Sequence, residues 1–493
     1  MDHAKAVPRY KALERNQSEW RQFAVDDLIA AEHPARAIWE LLGRVDLSGF
    51  EKDIKAVEGH AGQSPFEPRL LIALWIYGCT EAVSSAREVA RRCEYDPPYR
   101  WLCADEPVNY HTLADFRVGH REALERLFEE VVGVMLHAGL VDLKRVMQDG
   151  TRIEAAASGK SFHRRETLEQ CMEEAAEQVR GLQERAVEEP GTRVEAAQRR
   201  AAEEKQARLQ QAGQELERIR QSRRSGAERE QARVSVSDPE CRIMRHADQG
   251  FKPSYNVQLS TDAAHSIIVG VQTTAQGSDF PHLIPALEKM EERYGRGPQQ
   301  TVVDGGFVSR ENIIASEAHT ELIGNFQMLE HSSAQRRERY GIAAEYARER
   351  FDYDARADHF QCPAGRQLRR FRVRQRGHSR ELSYRAEVAD CAACPAKSQC
   401  SPHTASRHLI RIEEHSAVQR FQARMKTAQA QAIYKQRAQV AEFPNCWIKQ
   451  KFGLRRFHVR GLEKVQIEAL WHVIAYNLQQ WVRLGCKLSL ASA

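Results

Sequence analysis

At 493 residues the chain is too long for one simple core, and two to four modules are expected. Its 73 Lys and Arg against 68 Asp and Glu leave a net charge of only +5, so the total says little about partners, whereas the visibly basic C-terminal third says more. No run of about 18 apolar residues occurs, so no membrane span is expected. MDHAKAVPRY lacks a secretion signal's apolar core, and the odd count of eleven cysteines argues against a fully paired disulfide framework, so a reducing cytoplasm fits.

Residues 1–140 read as an all-helical module. PRLLIALWIYGC (68–79) opens on Pro68, SAREVARRC (85–93) is amphipathic, and 109–140 repeats apolar residues at three- and four-residue steps up to Gly139. Such modules often read DNA, and a packing or dimerisation role is the plain alternative. LKRVMQDGTRIEAAA (143–157) switches toward strand. Residues 162–233 are rich in Glu, Gln, Arg and Ala and read as a coiled helical hairpin around Pro190-Gly191, with opposite charges at i, i+4 on a solvated face.

From 250 onward strands dominate. Residues 251–261 and 265–275 form a hairpin signal, 282–295 a helix, 301–306 a short buried strand, 309–319 a helix capped by Ser309, and 321–326 another strand. That order fits a mixed sheet with helices on its faces. Residues 328–415 are charged and irregular. Residues 417–442 are helical, and the chain closes on an amphipathic helix over 465–484 that should pack on the core.

Three acidic residues sit in settings suited to one metal site: Asp149 in KRVMQDGTRI, Asp304 in QQTVVDGGF and Glu442 in YKQRAQVAEFPNCWIK. Taken singly, each Asp-Gly reads as a turn and Glu442 as a solvated helix residue. Taken together, Asp149 ends the first strand and Asp304 ends a strand that follows a sheet-packed helix. If those strands are neighbours, both carboxylates stand at one sheet edge. Two close carboxylates repel, and a divalent cation relieves the repulsion. A pair of Mg²⁺ ions so held can activate a water and stabilise a leaving oxygen in phosphodiester cleavage. Lys449 lies two helical turns beyond Glu442 if the helix survives Pro444, and Tyr434 and Arg437 lie upstream, where they could hold DNA phosphates.

At these residues the chain resembles bacterial insertion-sequence transposases of the DDE type. The resemblance rests on DGTRIEAAAS (149–158), on 255–287 leading into VVDGGFVSREN (302–312), on YKQRAQVAE…K (434–449) with KFGLRRFHVRGLEKV (451–465), and on SPFEPRLLIALWIYG…HTLADFR near the N-terminus. It implies an α+β, ribonuclease H-like catalytic domain over 141–327 and 416–493. A helical DNA-binding domain would occupy 1–140, with a coiled-hairpin insertion over 162–233 and a cysteine-rich, zinc-ribbon-like insertion over 328–415. It implies Asp149, Asp304 and Glu442 as ligands of two Mg²⁺ ions, with Mn²⁺ able to substitute. It assigns Tyr434, Arg437 and Lys449 to DNA near the cleavage point. The expected partners are terminal inverted repeats and target DNA, bound by a homodimer, and the expected place is the bacterial nucleoid. Four residues separate Arg437 from Glu442 where the strict signature has three, which bears on Tyr434 and Arg437 more than on Glu442.

Cys362, Cys391-x2-Cys394 and Cys400 suit a tetrahedral Zn²⁺, with free thiols as the alternative and His403 or His408 as replacement ligands. KQKFGLRRFHVRGLEKV (449–465) interleaves Lys449, Lys451, Arg455, Arg456, Arg460 and Lys464 with Phe452 and Phe457, and it reads as a phosphate-tracking strip joined by Lys252, or else as a solvated face. Two other functions share some of these features. An aspartyl phosphatase needs an Asp two residues before Asp149, where Met147 stands. A catalytically inactive or repurposed DNA-binding protein derived from a transposase would bind DNA without cleaving it.

Overall fold

The computed structural model describes residues 22–52, 64–188, 192–325 and 337–484, with Asn16, Ser18 and Ile54 besides. The N-terminal module packs α1 (Pro34–Leu42), α2 (Pro68–Thr80), α3 (Ala86–Tyr95), α4 (Pro97–Leu102), α5 (Tyr110–Gly119) and α6 (Arg121–His137). Pro68 begins α2 at a position where its missing N–H costs nothing. Ten of that helix's thirteen residues are buried, so it is enclosed by neighbours rather than laid on a surface. Beyond α6 the left-handed Gly139 turns the chain toward the sheet.

The main sheet is built around β1 (Arg145–Glu154). Short β2 (Phe162–His163) and β3 (Val234–Ser235) pair with each other at the root of a helical hairpin, α7 (Arg165–Glu188) and α8 (Arg193–Ser222). Leu168, Ala175, Leu209 and Leu216 give the hairpin a small core of its own. Thr192 caps α8 in a reciprocal bond with Glu195; the expected turn at Pro190-Gly191 lies outside the described residues. After a short α9 (Gly226–Glu230) come β4 (Arg242–Arg245), β5 (Phe251–Asp262), β6 (Ile268–Thr274), α10 (Leu283–Tyr294), β7 (Gln300–Val303), α11 (Arg310–Ser316) and β8 (Glu321–Gly324).

β5 runs antiparallel to β1 along nearly its whole length, and its other side is shared by β4 and β6. β7 and β8 continue the sheet parallel to β1. The strand β1 does not end at Asp149 as expected. β5 pairs with it as far as Glu154, whereas β7 stops pairing at Gln148.

Residues 352–413 depart from the expected irregularity. They form a second, wholly antiparallel sheet of β9 (Asp352–Asp354), β10 (His359–Gln361), β11 (Gln367–Arg376), β12 (Ser379–Ala386) and β13 (His408–Glu413), in that order. Phe351, Phe360, Leu368, Leu382, Tyr384 and Leu409 fill its core. One face is apolar and the other is arginine-rich, which hid the strands among charges. Between β12 and β13 lie α12 (Val388–Ala392) and α13 (Lys397–Cys400).

The expected helix over 417–442 is two helices, α14 (Ser416–Met425) and α15 (Ala428–Cys446). Thr427 caps the second by accepting from the Ala430 N–H. α15 runs through Pro444 and passes into a π-helical turn, Trp447–Lys451. The last helix, α16 (Leu462–Arg483), is not one-sided: sixteen of its twenty-two residues are buried. Trp75 of α2, Phe128 of α6, Leu259 of β5 and Trp471 of α16 belong to one continuous core, so the helical module and the sheet share an interior. Among the described residues no helix is long and apolar enough to cross a membrane.

β6 has an outward edge whose amides need partners, and α16 supplies them. Asn477 Oδ1 accepts from the Ile268 N–H at 2.9 Å while its Nδ2 donates to the Ile268 carbonyl at 2.8 Å. Gln466 Oε1 accepts from the Thr273 N–H at 2.6 Å. Asn477→Ala would leave a buried N–H and a buried carbonyl unpaired, at about 2–4 kcal/mol. Urea unfolding should show a lowered midpoint with an unchanged slope.

Candidate active site

Where β7 ends, the sheet opens. Gln148 opposite Val303 is the last pair of the parallel ladder, and Asp149 and Asp304 are the next residues on their strands. The Asp149 side chain is 16% exposed. Its Oδ2 accepts from Asn445 Nδ2 at 2.9 Å, and its Oδ1 lies 3.5 Å from Arg437 Nη1. Burial raises its pKa to about 6, with Arg437 pulling down and Asp304 and Asp279 pushing up. Asp304 is half-buried and its Oδ1 accepts from the Gly306 N–H at 2.8 Å, so Asp-Gly-Gly makes a turn as well as presenting a carboxylate.

A third carboxylate, Asp279, joins them from the turn after β6, and the sequence analysis missed it. Its Oδ1 accepts from Asn256 Nδ2 and from Gln258 Nε2, each at 2.7 Å. A Cβ on Gly306 would stand 3.0 Å from Asp304 Oδ1 and 3.6 Å from Asp279 Oδ2, which places both carboxylates beside that glycine. A Cβ on Gly150 would meet Gln258 Nε2 at 2.6 Å and collide with Asp279, so the glycine after Asp149 is what lets Asp279 approach β1. The available signal was the polar series Asn256, Gln258, Ser260 at alternate positions of β5: all three are buried, on the same face as buried Gln148.

Helix α15 lies over this opening. Ile433 and Ala441 pack on Met147, Val302 and Ile323 of three adjacent strands, with Tyr434 at the margin of that cluster. Arg437 and Asn445, two turns apart, reach Asp149 on either side of Ala441. Glu442 is exposed and begins the turn that Asn445 ends. The α15 residue that hydrogen-bonds Asp149 is therefore Asn445. Lys449, in the π-helical turn, is half-buried, and desolvation lowers its pKa against the opposing pull of Asp149. Among the described residues, no three His, Cys, Asp or Glu side chains are placed so that they could hold one metal ion.

The expected phosphate strip is altered by packing. Phe452 and Phe457 are 0% and 1% exposed and belong to the core, so neither can stack on a base. Lys252 pairs with Glu154 at 2.9 Å and Asp248 at 3.0 Å, and Arg456 pairs with Glu154 at 2.8 Å. Arg460 donates to the Ala156 carbonyl, Arg455 to Gln450, and Lys451 sits over the Trp447 ring. Arg455, Arg456, Arg460 and Lys451 nonetheless remain exposed.

Cys362, Cys391, Cys394 and Cys400 line one pocket at the end of the second sheet. The Arg366 N–H donates to Cys362 Sγ at 3.3 Å and the Arg407 N–H to Cys391 Sγ at 3.4 Å. None of the four is joined in a disulfide.

Two family models match parts of the chain. Residues 361–482 match the family described as Transposase DDE domain, and residues 23–119 match Transposase domain (DUF772). Together the two matches take in the helical opening, the second sheet and the α14–α16 region. Both matched descriptions are of transposases, the class to which the sequence bears its resemblance. No curated protein matches. Among solved structures the chain is similar to a piggyBac transposase in a synaptic complex with hairpin DNA, with 8% identity over 93% of this chain and 77% of that one. Its TM-score of 0.30 carries no argument about fold or function.

The raised Asp149 pKa has a consequence for stability. The native carboxyl holds its proton more tightly than the unfolded chain does, so its contribution is favourable at low pH and is lost as pH rises from about 4 to about 6. Asp149→Asn removes that loss. In metal-free buffer at pH 7.5 the variant should be more stable than wild type by at most about 3 kcal/mol. The gap between their melting temperatures should close toward pH 4.

Proposed function

We propose that the chain binds the terminal inverted repeats of a mobile element and carries out metal-dependent DNA cleavage and strand transfer on them, acting as a dimer that joins two ends to target DNA. The observation that carries this reading is the placement of Asp149 and Asp304 one step past the same pair of a parallel ladder. The strand order β6–β5–β1–β7–β8 supports a ribonuclease H-like reading of the sheet, as does α15 across one face.

The donor set fits Mg²⁺ or Mn²⁺: all its ligating atoms are carboxylate oxygens, and Asp149, buried beside two further acids, gains from a divalent cation. Asp149 and Asp304 would hold the ions from the sheet, and Glu442, exposed one turn before Asn445, would turn in from α15 to complete the set. When bound there, they supply nucleophile activation and stabilisation of the departing oxygen. Asn445 would orient Asp149, to which it already donates. Arg437 and Lys449 would hold the scissile strand by its phosphates, beside the exposed cations Lys451, Arg455, Arg456 and Arg460, with Tyr434 and Lys252 at the margins.

Asp304→Asn and Glu442→Gln should each lower Mg²⁺-dependent nicking of a duplex carrying the element's ends by about a hundredfold or more, the scale of losing one charge-stabilising group. DNA binding in a gel shift should stay intact. Nicking equal to wild type by Asp304→Asn would remove that residue from the site.

We propose also that Cys362, Cys391, Cys394 and Cys400 would close on one structural Zn²⁺, moving inward from positions that do not yet form a ligand set. Their common pocket and the two backbone N–H···S contacts support it, because such donors orient thiolate ligands. Elemental analysis should find one zinc per chain, lost in Cys391→Ser/Cys394→Ser. Chelation should lower the melting temperature of wild type and leave that variant unmoved.

A further inference from the structure

The second sheet carries more of the chain's positive charge than any strip considered above. Residues 367–385 hold seven arginines against one glutamate, which exceeds the +5 excess of the entire protein. The remainder of the chain is thus close to neutral. Like charges packed on one hairpin repel, and only some of these arginines have a partner within the fold.

Their arrangement is set by a bulge. A regular β11 would put Arg370, Arg372 and Arg374 on the face of Leu368, which is buried. The register shifts between Arg370 and Arg372, leaving Phe371 as the extra residue. Arg369 then stands opposite Arg385, Arg372 opposite Ser383 and Arg374 opposite Glu381, on the outward face, while Val373 opposes buried Leu382. Arg370 alone stays with the inner face, bonded to Asp358 at 2.6 Å. Among the described residues nothing pairs with Arg369, Arg372 or Arg374, although many other surface arginines find a carboxylate. Phe371, 48% exposed, lies among them under the Arg385 guanidinium, 4.8 Å from its ring centre. Two arginines directly opposite each other destabilise a bare sheet. An external anion with many charges removes that penalty.

The far end of this face leads to the candidate active site. Ser379, at the start of β12, donates to Glu414 at 3.2 Å. Glu414 in turn pairs with Arg310, the first residue of α11, six positions after Asp304.

We propose that the outward face of β11 and β12, with Arg369, Arg372, Arg374 and Arg385, is a docking surface for the phosphate backbone of double-stranded DNA, carrying the duplex away from the Asp149/Asp304 opening. This deepens the transposase reading and rests on it, since the duplex bound is the one to be cut. A guanidinium fork fits phosphate with two parallel bonds, and residues two apart on a strand are about 6.6 Å apart, which offers evenly spaced contacts along one backbone.

The test uses the full chain and an unrelated duplex of about 30 base pairs, because contacts of this kind ignore sequence. Arg369→Gln/Arg372→Gln/Arg374→Gln should weaken binding roughly tenfold or more near 0.1 M salt, and should lower the slope of log affinity against log salt by about 2.7, near 0.9 per lost phosphate contact. Arg380→Gln, whose side chain pairs with Glu413, should leave the slope unchanged. Should the triple variant fail to fold, Arg374→Gln alone should lower the slope by about 0.9. Wild-type affinity and slope in the variants would overturn this surface while leaving the proposed activity standing. Absence of duplex binding by the wild type would overturn both.

Discussion

The unequal lengths of β1's two neighbours govern the site. β5 holds β1 in register from Val146 to Glu154, so β1 stays extended past Asp149. β7 is only four residues long and stops at Val303, so its ladder ends one position before both aspartates. A longer β7 would pair Asp149 into the sheet interior. A shorter β5 would let β1 curl away at its Asp-Gly. Half-buried carboxylates are tolerated at this opening because Asn445 and Arg437 reach one of them and the Gly306 amide another.

That opening is held from above and from the side. α15 lays Ile433 and Ala441 across Met147, Val302 and Ile323, which fixes the angle at which Arg437 and Asn445 descend on Asp149. α16 closes the far edge by bonding to β6 through Asn477 and Gln466, and it buries Trp471 where α5 and the sheet meet, the indole N–H donating to the Arg117 carbonyl. Edge strands with unpaired amides invite foreign strands. Here the helix that covers the edge also ties the N-terminal module to the main sheet, so the two cannot shift independently without breaking hydrogen bonds.

Charge is distributed by the same logic. The cations after Glu442 are largely occupied by Glu154, Trp447 or backbone carbonyls. Arg369, Arg372 and Arg374, for which the described residues offer no partner, gather on the β11–β12 face, where one bulged residue sets Arg372 and Arg374 outward. Alternation in β11 was legible only after the bulge was known, because a phase change in mid-strand defeats period-two reading. The second sheet therefore looked like a charged, irregular stretch.

The sequence by itself determined the elements with strong local causes: Pro68 opening α2, Ser309 capping α11, the strands around Asp149 and Asp304, and the four cysteines that share a pocket. Each depends on a cap, a β-branched run or a short spacing, which are near-neighbour effects. Only the tertiary structure decided that Asp279 joins the two aspartates, that Asn445 is the α15 residue bonded to Asp149, and that Phe452 and Phe457 point inward. Those outcomes depend on which strand lies beside which and on how a helix is rotated over a sheet, and contacts between residues from about twenty to about three hundred positions apart leave no local trace in the chain.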